Sequence, residues 1–190
     1  IKPDRQLSTL VGKTMMIYGT GHIGERLAEI AKAFKMRTVG VNHNGHPVAA
    51  FDKTAATDDS AAAEKPDVIV NALPLTPKTK QFFNAKFFNQ LTSQPIFISI
   101  GRGASTDTQD LIAALKAGKV SFAGLDVVDP EPLPAGSQLW QMENVVITPH
   151  ISGFYDHYLD DVLKIFTENI NQFAKDKTLV RNQVNLQSGY

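Results

Sequence analysis

The sequence predicts an α/β protein built on a doubly wound parallel sheet of the Rossmann type. Three observations carry this. Short apolar, β-branched runs alternate with helical stretches along the chain. The runs are continuously apolar, as strands buried on both faces require. A glycine-rich turn joins the first run to the first helix.

TMMIYG opens the series as the first strand, followed by a helix from about His22 to Phe34 and a second strand, RTVGVN. PDVIVNALP, a helix near Asn84 to Leu91, PIFISIG, a helix near Thr108 to Lys116, VSFAGLDV and NVVITPH repeat the alternation. Pro130, Pro132 and Pro134 make DPEPLPAGS a long irregular loop. From Tyr155 to about Lys175, Leu159, Val162, Leu163, Phe166, Ile170 and Phe173 fall at helical spacing, with Asp156, Asp160 and Asp161 in the first turns. This helix is expected to close a dinucleotide-binding domain over residues 1–175, leaving 176–190 as a polar tail.

At 190 residues the chain is long enough for one ordinary domain, and its 43% hydrophobic and 20% charged content is that of a globular protein. Nineteen basic residues balance nineteen acidic ones without a basic run, which argues against nucleic acid and membrane surfaces as partners. The chain has no cysteine, so disulfides, thiolate metal sites and a cysteine nucleophile are excluded. A reducing compartment fits, and the cytoplasm is the expected location. The start, IKPDRQLSTLVGK, has neither an initiator Met nor a signal segment, which points to a piece of something longer.

Gly19-Thr20-Gly21-His22-Ile23-Gly24 lies between a strand and an amphipathic helix, the context a dinucleotide fingerprint needs. Gly19 makes the tight turn, Gly21 lets backbone approach a pyrophosphate, and Gly24 allows close packing of helix on strand. The helix N-terminus then offers N–H groups to the phosphates. An acid ending the second strand would mark an unphosphorylated ribose. Here that strand ends in Asn42, with His43 beside it and no arginine, so both NAD and NADP stay open. His43 would welcome a phosphate only weakly, and His43 and His46 read first as solvated loop residues.

Three stretches at the ends of later strands carry ionisable groups where open parallel sheets place their ligand crevice. ISIGRG offers Arg102 between two glycines that let the backbone turn, as a fork for a carboxylate. GLDVVDPEPL offers Asp126 and Glu131, and ITPHIS offers His150. Each alone is an ordinary loop charge. Together with the fingerprint they form a hydride-transfer constellation.

The ordered series GTGHIG, LPLTPKT, SIGRG, GLDVVDPEPL and LWQMENVVITPHISG resembles the nucleotide-binding domain of the D-2-hydroxyacid dehydrogenases over roughly residues 8–175. The resemblance implies a catalytic trio of Arg102, Glu131 and His150. It implies that Asp126 lies near the nicotinamide carboxamide and that Leu73, Pro74 and Thr76 lie along the cofactor. Ile100, Gly101, His150, Ser152 and Gly153 complete the implied cofactor contacts beside Gly19 to Gly24, Asn42 and His43. It also implies a homodimer, and a substrate domain built from preceding chain and completed by the tail. Two positions depart from the pattern: Ser99 stands where Asn is common, and Asn42 where NAD-specific members have an acid.

The expected activity is reduction of a 2-keto acid to a D-2-hydroxy acid with NAD or NADP. Arg102 would orient the carboxylate, Glu131 would accept a hydrogen bond from the imidazole, and His150 would donate the proton. The chain by itself is expected to be a cofactor-binding fragment with little turnover. A non-enzymatic dinucleotide sensor on the same fold is the alternative, but it would need neither Glu131 nor His150. A metal site from His150, His157 and the helix acids lacks any ligand-spacing motif, so no metal is expected.

Overall fold

The computed structural model describes residues 8–57 and 61–186. The first seven residues of the expected domain and the last four of the tail lie outside them. The chain forms two compact units, Ile1–Pro149 and His150–Tyr190.

The first unit holds seven parallel strands: β1 (Thr14–Tyr18), β2 (Arg37–Asn42), β3 (Lys53–Ala56), β4 (Val68–Asn71), β5 (Ile96–Ser99), β6 (Phe122–Leu125) and β7 (Val145–Ile147). Their order across the sheet is β3-β2-β1-β4-β5-β6-β7. The chain winds outward from β1 in one direction and then, from β4, in the other. The reversal between β1 and β4 is the switch point at which such sheets open a crevice beyond their carboxyl ends. Four helices accompany the strands: α1 (His22–Ala33), α2 (Ala61–Glu64), α3 (Ala85–Asn89) and α4 (Thr108–Lys116). The expected parallel sheet is present, with β3 and α2 as elements that the apolar pattern did not mark.

β1 shows why both faces are covered. Met16 and Tyr18 pack into one core with Val39, Ile69, Phe83, Phe97 and Leu111, while Ile17, between them, packs into a second with Ala28, Ala31, Phe51 and Val70. Successive residues of a strand face opposite sides, so continuous hydrophobicity is the mark of a sheet buried twice. Tyr18 meets Phe83 and Phe87 edge-on at 5.1 and 5.6 Å. Burial pushes its phenol well above the usual tyrosine range.

The helices start where side chains satisfy free N–H groups. Asn84 accepts from the N–H of Phe87 ahead of α3, and Asp107 accepts from those of Gln109 and Asp110 ahead of α4. α1 is different. Its cap is Gly21, which offers no side-chain acceptor.

Carboxylates tie the sheet's outer half together. Asp52 Oδ2 accepts from the N–H (2.8 Å) and Oγ1 (3.0 Å) of the buried Thr38, and Lys32 lies 3.0 Å from Oδ1. The backbone N–H of Thr38 and then Lys32 hold the Asp52 carboxyl below the usual aspartate range. Glu64 is likewise lowered, first by Lys53 and then by Arg37.

In the second unit, α5 (Tyr158–Asp176) ends at Lys177 in the left-handed conformation. Asn169 holds the following chain, its Oδ1 accepting from the N–H of Val180 at 2.9 Å. The apolar stripe read from the sequence is present but uncovered, with Leu159 70% and Phe166 59% exposed. None of the residues of α5 is buried. Helical spacing sets which residues share a face. It does not supply the surface that covers them.

Because the folded Asp52 carboxyl binds its proton more weakly than the unfolded one, its contribution is present at neutral pH and is lost as pH falls through the folded value. Asp52→Asn is expected to destabilise by about 1 kcal/mol at pH 7. The difference from the parent should shrink as pH falls below the unfolded aspartate value and through the lowered folded one, as read by chemical denaturation across pH.

Candidate active site

All strands of the first unit run parallel, so the loops that follow β1, β2, β4, β5 and β6 emerge along one edge of the sheet. The glycine turn, Asn42, the Leu73 loop, Arg102 and Asp126 all sit there. What brings the loops into register is main chain packed against main chain.

Gly19 has φ +103°, and a Cβ on it would lie 2.7 Å from the carbonyl oxygen of Ala72. A Cβ on Gly24 would come within 2.0 Å of the Gly19 carbonyl oxygen. Neither position admits a side chain. Gly21 contrasts with both: it has ordinary extended backbone (φ −80°, ψ −169°), and a Cβ there would meet nothing within 4 Å. Internal packing explains two of the three fingerprint glycines. The third leaves open space at the uncapped start of α1.

Gly101 and Gly103 flank Arg102 for a reason other than the expected sharp turn. Neither has a positive φ. A Cβ on Gly101 would lie 2.6 Å from the Leu73 carbonyl oxygen, and one on Gly103 would lie 1.8 Å from that of Val128. The Arg102 strip is thus sandwiched between the loops after β4 and β6. Its guanidinium is exposed, with Nη1 donating to the Gly101 carbonyl at 2.8 Å.

Under this strip runs a buried polar chain that sequence reading did not single out. Asn71 ends β4 with no exposed surface. Its Nδ2 donates to Ser99 Oγ (3.0 Å) and Ser105 Oγ (2.7 Å), and its Oδ1 accepts from the N–H of Leu73 (3.1 Å). Ser105 Oγ in turn donates to the Arg102 carbonyl at 2.6 Å. One amide therefore fixes the loop after β4 at Leu73 and, through Ser105, the backbone of Arg102. Ser99, at the position where the family commonly has Asn, acts here as the small acceptor for that amide. The available signal was a polar residue ending an apolar run directly before Leu73.

The loop after β4 is braced from within. Thr79 Oγ1 donates to the Pro74 carbonyl at 2.6 Å and accepts from the N–H of Thr76 at 2.7 Å. Lys78, in this turn, places Nζ 3.1 Å from His43 Nε2. At the end of β2, Asn42 Nδ2 donates to Thr20 Oγ1 (3.3 Å) and to the His46 carbonyl (2.9 Å). Asp126 is buried, its N–H bonded to the Ser99 carbonyl at 2.9 Å and its Oδ1 accepting from Thr148 Oγ1 at 2.6 Å. Glu131 lies exposed in the loop beyond. His22 and Ile23 are exposed at the head of α1, and Ile100 donates its N–H to the Asn71 carbonyl at 3.0 Å.

His150 opens the second unit, with Ser152 and Gly153 close behind it, all three exposed. Its backbone has φ +55°, a left-handed conformation uncommon outside glycine. Backbone held in this region clusters at sites that use it.

The chain is similar to known proteins. Residues 2–152 match the family description "D-isomer specific 2-hydroxyacid dehydrogenase, NAD binding domain". The chain belongs to this family. Glyoxylate/hydroxypyruvate reductase B of Escherichia fergusonii is 40% identical over 155 residues, covering 80% of this chain and 48% of the relative. The phosphoglycerate dehydrogenase structure from Lactobacillus plantarum is 48% identical with a TM-score of 0.79, over 96% of this chain and 59% of that one. The NADPH-dependent glyoxylate/hydroxypyruvate reductase of Sinorhizobium meliloti, solved with NADP and sulfate, is 29% identical with a TM-score of 0.84, over 98% and 60%. The chain spans about half the length of the curated reductase it matches.

Replacing Asn71 by Ala would leave the N–H of Leu73 and the two serine hydroxyls without their buried partner. An expected loss of about 2–3 kcal/mol, measured by chemical denaturation, follows from the cost of orphaned polar groups. Gly24→Ala should cost about 1–3 kcal/mol as well, because its Cβ meets rigid backbone.

Proposed function

We propose that this chain is the dinucleotide-binding part of an NAD(P)-dependent oxidoreductase that interconverts 2-keto acids and D-2-hydroxy acids. The observation that carries the reading is Gly21. It lacks a side chain where nothing in the protein forbids one, at the uncapped N-terminus of α1 beside the switch point between β1 and β4. That is the space a pyrophosphate fills in such folds. The residues present therefore fit a dinucleotide. The keto-acid reaction is supported by family membership and by the reductases among the relatives.

The bound cofactor supplies or accepts a hydride at the substrate's carbonyl carbon. This chain's residues do the rest. Arg102, on a strip packed against the backbone of Leu73 and Val128, is assigned the substrate carboxylate, which its planar fork suits. His150 is assigned the proton that reaches the carbonyl oxygen, and Glu131 the carboxylate that favours the charged imidazole. Asp126, Leu73, Pro74, Thr76, Ile100, Gly101, Ser152 and Gly153 are assigned to the cofactor with the glycine turn. Residues 1–175 act as the dinucleotide-binding domain in this reading. The uncovered stripe of α5 and the family resemblance support a homodimer, and a cysteine-free sequence suits the cytoplasm. Among the described residues no helix is long and apolar enough to cross a membrane.

Gly21→Ala tests the reading. The variant should keep the parent's thermal stability, since its Cβ enters open space, yet lose at least about tenfold in affinity for reduced dinucleotide by calorimetry. Unchanged affinity would remove the central support. In the longer enzyme carrying this chain, His150→Ala should reduce keto-acid turnover by at least about a hundredfold with cofactor affinity nearly unchanged.

A further inference from the structure

The mouth of β2 bears on a choice that the family and the fingerprint leave open. Dinucleotide sites that take an unphosphorylated ribose end this strand in a carboxylate, which grips two ribose hydroxyls and repels a 2′-phosphate. Asn42 carries no charge. Its Nδ2 is already committed to Thr20 and to the His46 carbonyl. Its Oδ1 is buried and has no hydrogen-bond partner among the described residues. A buried acceptor without a donor is costly unless a ligand supplies one. A single ribose hydroxyl would satisfy it.

Two side chains able to donate to an anion, His43 and Lys78, meet at the mouth of β2, and they come from different loops. His43 directly follows Asn42. Lys78 arrives from the turn after β4, 35 residues away in sequence, to within 3.1 Å of His43 Nε2. β2 and β4 flank β1 on opposite sides, so this pair lies on the loops bordering the glycine turn. The other loop histidine is engaged elsewhere, with His46 Nδ1 2.8 Å from Asn44 Oδ1. Among the described residues no carboxylate forms an ion pair with Lys78 or His43. In the free protein the Lys78 ammonium can donate to the His43 imidazole. A phosphate placed there would accept from both. The turn carrying Lys78 is held by Thr79 and Thr76, so little ordering would accompany binding.

We propose that this chain selects the 2′-phosphorylated dinucleotide, NADP(H), with Lys78 and His43 gripping the 2′-phosphate while Asn42 Oδ1 accepts from the remaining ribose hydroxyl. The inference rests on the dinucleotide-binding reading and assigns its specificity. It accounts for two features with one ligand: the missing carboxylate at the end of β2 and the meeting of Lys78 with His43 beside it.

Isothermal titration of this 190-residue chain with NADPH and with NADH, repeated on Lys78→Glu and Asn42→Asp, decides it. NADPH should bind the parent at least about tenfold more tightly than NADH, as two charge-assisted contacts to phosphate imply. Lys78→Glu should erase that preference by weakening NADPH alone, and Asn42→Asp should shift it toward NADH. The same ratio should separate 2′,5′-ADP from 5′-AMP. Equal or tighter binding of NADH by the parent would overturn the proposal while leaving the dinucleotide reading intact. So would a Lys78→Glu variant that weakens both cofactors equally. Failure of the parent to bind either cofactor would overturn the dinucleotide reading, and the specificity assignment with it.

Discussion

At the carboxyl ends of β1, β4 and β5 the main chains of successive loops press together with no room for a Cβ on Gly19, Gly24, Gly101 or Gly103. Everything proposed for the site depends on this contact. Backbone yields less readily than a side-chain tip does, so loops packed in this way hold one another in place. The Arg102 strip inherits that rigidity from Leu73 on one side and Val128 on the other. Close approach, rather than special dihedral angles, is what the two glycines beside it provide.

Buried polar chemistry completes the shelf. Asn71 reaches three groups at once, and through Ser105 it governs the carbonyl of Arg102. A fully satisfied amide of this kind excludes competing arrangements, because any slip of one loop leaves several donors and acceptors unpaired. Asp126, pinned by the backbone of Ser99 and the hydroxyl of Thr148, continues the same logic toward β7. The exposed charges, Arg102 and Glu131, are thereby carried on a scaffold that does not itself need them.

Much of the architecture was legible from residues. Continuous apolar runs such as MMIY and VIVN, separated by helical stretches, suffice for a parallel sheet covered twice, and the strands and helices expected from them are present. β3 was not visible because KTAA has neither β-branched apolar residues nor alternation. It exists through pairing with β2 at the sheet edge, with the exposed Lys53 at its start. The stripe on α5 was visible, but its lack of any covering surface was not. The glycine fingerprint announced a dinucleotide. It did not reveal which two glycines internal packing requires and which one it leaves free.

Local chemistry thus determined the strand sequence, the glycine turn, the absence of an acid at the end of β2 and the residue types able to hold a substrate carboxylate or move a proton. These follow from periodicity, backbone sterics and ionisable groups, all properties of neighbours in sequence. Tertiary structure alone decided that Asn71 underpins Arg102, that Asn42 keeps one buried acceptor in reserve, and that Lys78 meets His43. Each of these joins positions that only the crossing of the parallel sheet brings within hydrogen-bonding distance, and no pattern along the chain encodes a separation in space.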